Sequence, residues 1–217
     1  MREQVIQMAI NEVQSPQFEI TNQVLGVHSV VLESGIPVIA RVDDTSYPDQ
    51  CLIYFPLQEE DYYFVIVIEH LEGKLSVSLP YIEANVRVYL SIWSEESTPE
   101  EITSKLNLFP TEVRHKGDMN PRRSQRYEKN AWFYEPQKKI PDSLERKVIF
   151  LLDRTEPSRE EIVRLKEQGT VHIHICYKGY QDWMGGWHLD SKILKRLADI
   201  GCNVNLDLYA FGPELPD

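Results

Sequence analysis

Val86-Arg87-Val88-Tyr89-Leu90-Ser91-Ile92-Trp93 alternates apolar side chains with polar or aromatic ones, which predicts a β-strand with one buried face. A helix start follows at Thr98-Pro99-Glu100-Glu101. It combines a capping hydroxyl, a proline at the first helical position and a glutamate at the third. A half-buried strand that leads into a well-capped helix is typical of a sheet with helices packed on it.

The pattern continues to the end of the chain. Further helices are predicted to begin at Asp142 or Ser143, at Ser158 and at Asp190, and Gly201 is predicted to end the last of them. Two later strands are expected to turn their apolar side chains toward these helices. Those side chains are Val171, Ile173 and Ile175 in one strand, and Val204, Leu206 and Leu208 in the other. Leu194 is expected to face inward from the last helix.

Residues 84–217 are therefore predicted to form an α+β domain, with a mainly antiparallel sheet and helices on one face. The opposite sheet face would be polar and aromatic. Its candidate binding side chains are Tyr89, Trp93, His172, His174, Asp207 and Tyr209. A second candidate surface is the aromatic segment that contains Trp183 and Trp187.

Residues 1–83 are predicted to form an acidic, strand-rich α+β region with a single N-terminal helix over Arg2–Val13. Strands are predicted at Val27–Leu32, Val38–Val42, Cys51–Phe55, Tyr62–Glu69 and Lys74–Leu79. Glu72-Gly73 is typical of a hairpin turn, and the unbroken apolar run Val65–Ile68 indicates a central strand. No flexible linker separates this region from the next, so two packed halves are expected.

Charge is distributed unevenly along the chain. The formal net charge is −11. Residues 1–83 hold three basic and thirteen acidic side chains, so nucleic acid is a disfavoured ligand for that region. An acidic surface suits a basic partner surface or serves solubility. No apolar run is long enough for a membrane span and no signal peptide is evident, which predicts a cytoplasmic protein that does not bind membranes.

The C-terminal part of the chain, residues 84–217, resembles a bacterial family known as domain of unknown function 4279, in a match that covers just over half of the chain. The resemblance rests on the order and spacing of several short motifs. They are Thr98-Pro99-Glu100-Glu101-Ile102, Leu106-x-Leu108-x-Pro110-Thr111, Lys116-Gly117-Asp118, Trp132, Gly186-Trp187-x-Leu189 and Leu206-Asp207-Leu208-Tyr209. It implies a compact α+β domain, and some relatives are similar to immunity proteins, which neutralise a toxin. It implies no catalytic residues.

Catalytic and metal chemistry have little support in the residue pattern. His172 and His174 lie two positions apart, ~7 Å along one strand face, and could share a metal with Asp207 and His188. Cys176 shares the predicted face of His174, but no nucleophile elbow is present. Cys51, Cys176 and Cys202 form no C-x-x-C pair and are expected to be buried, unpaired thiols. No cofactor or metal is predicted.

One basic run, Arg114–Lys129, is predicted to be a loop between two strands. It contains Arg122 and is followed by the aromatic residues Trp132, Phe133 and Tyr134. Such a loop could be solvated, dock an acidic patch or hold single-stranded RNA.

The favoured function is a non-enzymatic protein-binding module with another protein as its partner, and an immunity-type role is one form of it. The alternatives are a small-molecule or metal-dependent enzyme around His172, His174 and Asp207, and RNA binding through the basic run.

Overall fold

The computed structural model of the 217-residue chain describes residues 2–121, 123–181 and 185–216. It contains two compact units. Unit 1 comprises Met1–Asn85, Lys178–Gly186 and Leu208–Asp217, and unit 2 comprises Val86–Tyr177 and Trp187–Asp207. Both combine helices with mainly antiparallel sheets, so the predicted α+β class is confirmed.

Unit 1 begins with two helices and continues with short strands. The elements are α1 (Arg2–Gln14), α2 (Glu19–Val27), β1 (Leu32–Glu33), β2 (Ile36–Pro37), β3 (Arg41–Tyr47), β4 (Gln50–Pro56), β5 (Tyr63–Leu71), β6 (Lys74–Val77) and β7 (Tyr81–Glu83). The main sheet has the order β3-β4-β5-β6, and β7 also pairs with β5. Since β5 pairs on both sides, the prediction of a central strand at Val65–Ile68 is confirmed.

Two predictions for this region are wrong. It has two N-terminal helices rather than one, and the strand predicted at Val27–Leu32 is replaced by the end of α2 and by the short β1. The buried face of α2 contains Ile20 and Val24, which are one helical turn apart. Packing of this short stripe into the core outweighs the strand preference of the valines.

The core of unit 1 includes a tyrosine from far along the chain. Tyr180 is 1% exposed and belongs to the same cluster as Phe55, Phe64 and Ile66. Its hydroxyl donates a hydrogen bond to the carbonyl of Pro213 and lies 3.2 Å from His28 Nε2. Gly212 has a φ of +114°, and a β-carbon there would collide with the Tyr180 ring.

Unit 2 is built around one five-stranded sheet. Its elements are β8 (Asn85–Ser94), α3 (Pro99–Leu106), β9 (Glu112–Arg114), β10 (Asn130–Tyr134), α4 (Leu144–Thr155), a 3₁₀ turn (Glu156–Ser158), α5 (Arg159–Gln168), β11 (Gly169–Tyr180), α6 (Ser191–Ile200) and β12 (Asn203–Phe211). The strand order is β12-β11-β8-β10-β9. The last residues of β11 and β12 belong to unit 1.

The helices begin and end at the residues that the sequence indicates. Thr98 and Glu101 form a capping box at α3. Ser143 caps α4 and Asp190 caps α6 through their side chains. Gly201 ends α6 with a φ of +70°, a left-handed conformation in which glycine carries little strain.

Burial on β8 and β11 follows the predicted alternation. Val86, Val88, Leu90 and Ile92 are buried, as are Val171, Ile173 and Ile175. Trp132 on β10 is fully buried, and its indole N–H donates to Thr103 Oγ1 on α3 at 3.0 Å. This sheet face is therefore the one that the helices cover.

The last strand does not follow the prediction. Val204, Leu206 and Leu208 are 42–49% exposed, and Leu194 of α6 is 52% exposed, so their expected burial under the helices is wrong. β12 is the terminal strand of the sheet order, so one of its neighbours is absent among the described residues. The three cysteines are free as expected, but each is only partly buried. No described helix has the length and hydropathy that a membrane crossing requires.

Candidate functional site

The uncovered sheet face of unit 2 presents polar and aromatic side chains from β8. Arg87, Tyr89 and Trp93 are partly exposed, whereas Ser91 between them is 0% exposed. The alternation of the strand places these four side chains on the face opposite the helices. The predicted polar and aromatic face therefore exists on β8, and it is built on a regular strand rather than on a loop.

Neighbouring strands extend this face with histidine contacts. His174 on β11 stacks on Tyr89 at 4.8 Å between ring centroids and 9° between planes. Its Nε2 lies 2.9 Å from Ser91 Oγ. His172 Nδ1 lies 2.9 Å from the side-chain nitrogen of Asn205 on β12. Both predicted histidines are therefore held by protein partners at one ring nitrogen.

Burial changes the acid–base behaviour of this cluster. Desolvation lowers the pKa of His174 below its ordinary value of 6.5, the nearby His172 lowers it further, and Asp207 opposes both. Desolvation is also the main cause that raises the pKa of Tyr89. His174 is therefore neutral near pH 7 and acts as an aromatic and hydrogen-bonding group rather than as a cation.

The His174 environment should make the protein less stable in mild acid. The unfolded chain takes up a proton as the pH falls below about 6.5, while folded His174 resists protonation, so stability falls between about pH 7.5 and 5.5. We expect His174→Gln, which retains a polar partner for Ser91, to reduce this fall. Urea midpoints at both pH values measure it, with His188→Gln as a control at an exposed histidine. An equal fall in wild type and His174→Gln would contradict the assignment.

A cleft of about 740 Å³ lies on the β8–β10–β9 part of the same face. Four aromatic rings, four cations and two carboxylates line it. The lining residues are Arg87, Tyr89, Trp93, Thr111, Glu112, Arg114, Asn120, Pro121, Arg123, Tyr127, Phe133, Glu135 and Lys138. We refer to this set as the cleft.

Two arginines in the cleft pair with acids in different ways. Arg87 donates from Nε and Nη2 to the two oxygens of Glu135, at 2.9 and 2.6 Å, and Glu135 is only 4% exposed. Arg114 donates from Nε and Nη2 to a single oxygen of Glu112, which is 47% exposed. The Arg87–Glu135 pair is bidentate and shielded from solvent. The Arg114–Glu112 pair is exposed to solvent, so another anion could compete with Glu112 for Arg114.

Aromatic rings surround the Arg114 guanidinium. Its central carbon lies 4.7 Å from the ring centroid of Phe133, 5.5 Å from that of Tyr127 and 5.9 Å from that of Trp93. Trp93 and Phe133 also meet edge to face at 5.5 Å. These contacts hold the guanidinium of Arg114 against three aromatic rings, at distances typical of cation–π interactions.

The basic run forms the far wall of the cleft and connects β9 to β10, as predicted. Tyr127 makes two backbone hydrogen bonds within it, since Tyr127 N donates to Asp118 O at 2.9 Å and Tyr127 O accepts from Gly117 N at 2.8 Å. Asn120 N donates to Gln125 O. This internal bonding positions Tyr127 and Arg123 on the cleft. Arg122 lies outside the described residues.

Comparison with known proteins places this region in a family. A family model described as Domain of unknown function (DUF4279) matches residues 84–211, more than half of the chain. The chain belongs to the DUF4279 family. The resemblance noted in the sequence is therefore confirmed, and residues 1–83 lie outside the matched range. No curated protein and no solved structure matches the chain.

The DUF4279 region contains the whole cleft. Ser91 lies beside His174, yet it is completely buried and no substrate could reach its hydroxyl. Across residues 2–121, 123–181 and 185–216, no group of three or more His, Cys, Asp and Glu side chains is arranged to hold a metal ion.

The remaining predicted site residues are spread over the chain. Asp207 is exposed on β12 and close enough to influence the pKa of His174. Tyr209 is 43% exposed and stacks on Phe211 within unit 1. Trp187 packs against Tyr177 at 5.3 Å, and Trp183 lies outside the described residues. The structure therefore brings Tyr89, Trp93 and His174 into one contact network of the DUF4279 region.

Several cleft residues were not among the sequence candidates. Phe133 comes from β10, Glu135 directly follows that strand, and Glu112 comes from β9. The signal for Phe133 was available, because it alternates with Trp132 and Tyr134 along β10 and must face away from them. The pairing of Phe133 with Glu112 and of Ala131 with Arg114 was not visible, because it depends on the register between the two strands.

Proposed function

We propose that this chain is a non-enzymatic protein-binding module and that the cleft, with the adjoining Tyr89–His174 pair, is its contact surface. The supporting observation is the cluster of Trp93, Phe133, Tyr127 and Arg114, whose rings and guanidinium already contact one another. Tryptophan, tyrosine and arginine are the residues in which binding energy concentrates at protein interfaces.

Rigid positioning supports this proposal. The aromatic side chains project from neighbouring strands, and Arg114 is held by rings and by Glu112 before any partner arrives. A partner would then bind with little loss of side-chain freedom. Partly exposed aromatic rings on a sheet have no evident role in the core of unit 2, which lies on the opposite face under the helices.

An immunity-type role is the more specific form of this proposal and is what the family resemblance implies. The overall charge of −11 would favour a basic toxin. The cleft itself has the opposite character, since four cations face two carboxylates. We therefore propose the cleft as a site for an acidic element of a partner, and any basic toxin would have to bind elsewhere.

Single-stranded RNA is the second candidate, because cations and aromatic rings share the cleft. The ring contacts weigh against it. Arg114 lies over Phe133 and His174 is stacked on Tyr89, so a base would have to displace these side chains in order to stack there.

The proposal is tested by capturing partners with variants of the full chain. We expect Trp93→Ala to reduce recovery of the partner at least about tenfold, because truncating an interface tryptophan removes a large contact area. Capture from a nuclease-treated lysate of the native host, measured by quantitative mass spectrometry, gives the recovery. Phe150→Ala is a matched control, since Phe150 is a partly exposed aromatic on α4 with Arg154 over its ring.

One further variant tests how far the contact surface extends, and one control checks that Trp93→Ala is folded. Tyr209→Ala tests whether the contact extends along β12, where the sequence predicted a contribution. Circular dichroism must show that Trp93→Ala retains its fold. If folded Trp93→Ala and Phe150→Ala capture the same proteins in the same amounts as wild type, the cleft is not the contact surface and the proposal fails.

A further inference from the structure

Resting on the proposed function, we infer that the cleft is a carboxylate-binding site centred on Arg114, that it accepts an acidic segment of the partner protein, and that Glu112 is an internal competitor which the ligand displaces. The inference follows from the unequal state of the cleft's two ion pairs, from the cations that remain, and from the way in which the rings hold Arg114.

The Arg87–Glu135 pair is closed to ligands. Arg87 Nε and Nη2 both donate to Glu135, whose carboxylate is nearly inaccessible to solvent. Removing Arg87 from that carboxylate would leave a shielded charge without its partner, which is costly. Arg87 therefore maintains the cleft wall and is not the group that an incoming anion would engage.

The Arg114–Glu112 pair is open. Two Arg114 nitrogens converge on one Glu112 oxygen, so the carboxylate does not engage the guanidinium in its best parallel, two-bond geometry. Glu112 is nearly half exposed and precedes Arg114 by two positions on the same short strand. An exposed pair of this kind contributes little stability and exchanges readily with another carboxylate.

Two further cations of the cleft have no counter-ion among the residues that the structure describes. Arg123 and Lys138 line the cleft, and neither forms an ion pair with a described residue. With Arg87 neutralised by Glu135 and Arg114 partly neutralised by Glu112, these side chains leave the cleft with an excess of positive charge. A ligand that carries two or three carboxylates matches that excess, whereas a single carboxylate would leave part of it unmet.

The surrounding aromatic rings fix the direction in which the Arg114 guanidinium can donate hydrogen bonds. Phe133, Tyr127 and Trp93 lie around its guanidinium and restrict the freedom that a surface arginine normally has. A planar, fixed guanidinium binds a carboxylate through two parallel hydrogen bonds. The same rings offer apolar contact to the residues beside the acid, so an acidic segment with an aromatic or aliphatic neighbour fits best.

The test measures binding of short synthetic probes to the full-length, isotope-labelled protein by NMR titration. The probes are a peptide rich in glutamate with one phenylalanine, its counterpart with glutamine in place of glutamate, and an oligouridylate of equal length. We expect the acidic peptide to shift resonances of cleft residues and the glutamine peptide to bind at least about tenfold more weakly. The acidic peptide should also weaken in high salt.

Substitutions at Glu112 and Arg114 should change the affinity for the acidic peptide in opposite directions if Glu112 competes with the ligand for Arg114. Glu112→Gln should tighten binding of the acidic peptide about two- to fivefold, because Arg114 loses its internal partner. Arg114→Gln should weaken it about tenfold. Arg154→Gln removes an arginine that lies over the Phe150 ring on α4, and it should leave the affinity unchanged. Arg123→Gln and Lys138→Gln, at exposed positions, should each weaken binding even if Arg114→Gln proves unstable.

Each remaining outcome overturns the inference. Equal binding of the two peptides excludes carboxylate recognition, and tighter binding of the oligouridylate assigns the cleft to nucleic acid. Unchanged affinity in Glu112→Gln excludes the competitor. If the acidic peptide does not bind while Trp93→Ala still loses the captured partner, this inference fails and the proposed function stands. If Trp93→Ala captures normally, the proposed function fails whatever the peptide does.

Discussion

Replacing Trp132 with alanine should lower the free energy of unfolding by about 3–5 kcal/mol, the usual cost of removing a large buried aromatic side chain. Trp132 is 0% exposed and stacks on Tyr134 at 5.9 Å between ring centroids. Its indole N–H also bonds Thr103 on α3, so it fastens a helix to β10 as well as filling the core. Urea unfolding followed by circular dichroism measures the loss.

A graded series separates the two contributions of Trp132. Trp132→Phe keeps most of the apolar volume and loses the hydrogen bond, and we expect a smaller loss than for alanine. Thr103→Val removes the acceptor alone and should cost about 0.5–1.5 kcal/mol. If Trp132→Ala unfolds at the same urea concentration as wild type, Trp132 does not contribute to the core as its burial implies.

The second large effect is expected at Tyr180, in the core of unit 1. Tyr180→Ala should also cost about 3–5 kcal/mol, because the ring is 1% exposed and meets Tyr62 and His28 edge to face, each at 5.5 Å. Hydrogen exchange measured by mass spectrometry should report the loss of protection in β4 and β5, whose residues share this core.

Tyr180→Phe is the matched control for the second prediction. It retains the ring and removes only the hydroxyl that bonds Pro213 and approaches His28. We expect about 0.5–1.5 kcal/mol for this change. A result in which Tyr180→Ala and Tyr180→Phe are equally destabilised would mean that the hydroxyl, and not the buried ring, is what matters.

Much of unit 2 could be predicted because its local signals agree with its packing. Thr98, Asp190 and Gly201 specify helix ends through hydrogen bonds and backbone conformation that depend on only a few neighbouring residues. The alternation on β8 and β11 specifies which side chains are buried, because successive side chains of a strand point to opposite faces.

The failures lie where burial depends on distant residues. Val204, Leu206 and Leu208 alternate as well as the residues of β8 do, yet they are exposed because β12 ends the strand order. Alternation specifies two faces but does not say whether anything covers them. The helix α2 was missed for a related reason, since its short apolar stripe is stable only through packing in the core of unit 1.

The candidate site was predictable in part. Tyr89, Trp93 and His174 could be placed on one face from strand periodicity alone. The cleft could not be predicted, because it depends on the register that sets Phe133 opposite Glu112 and on a loop whose shape follows from backbone bonds such as Asn120 N to Gln125 O. The unequal shielding of Glu112 and Glu135 is equally invisible in a sequence.

The position of Tyr180 determines which pieces of this protein can be studied alone. A truncated chain cut at the limits of the family match, residues 84–211, would retain this tyrosine but lose His28, Tyr62 and Pro213, which surround it. A large aromatic side chain would then face water at the end of a strand, which is a recognised cause of aggregation. A shortened chain for biochemical work should therefore retain His28, Tyr62 and Pro213 together with the family match.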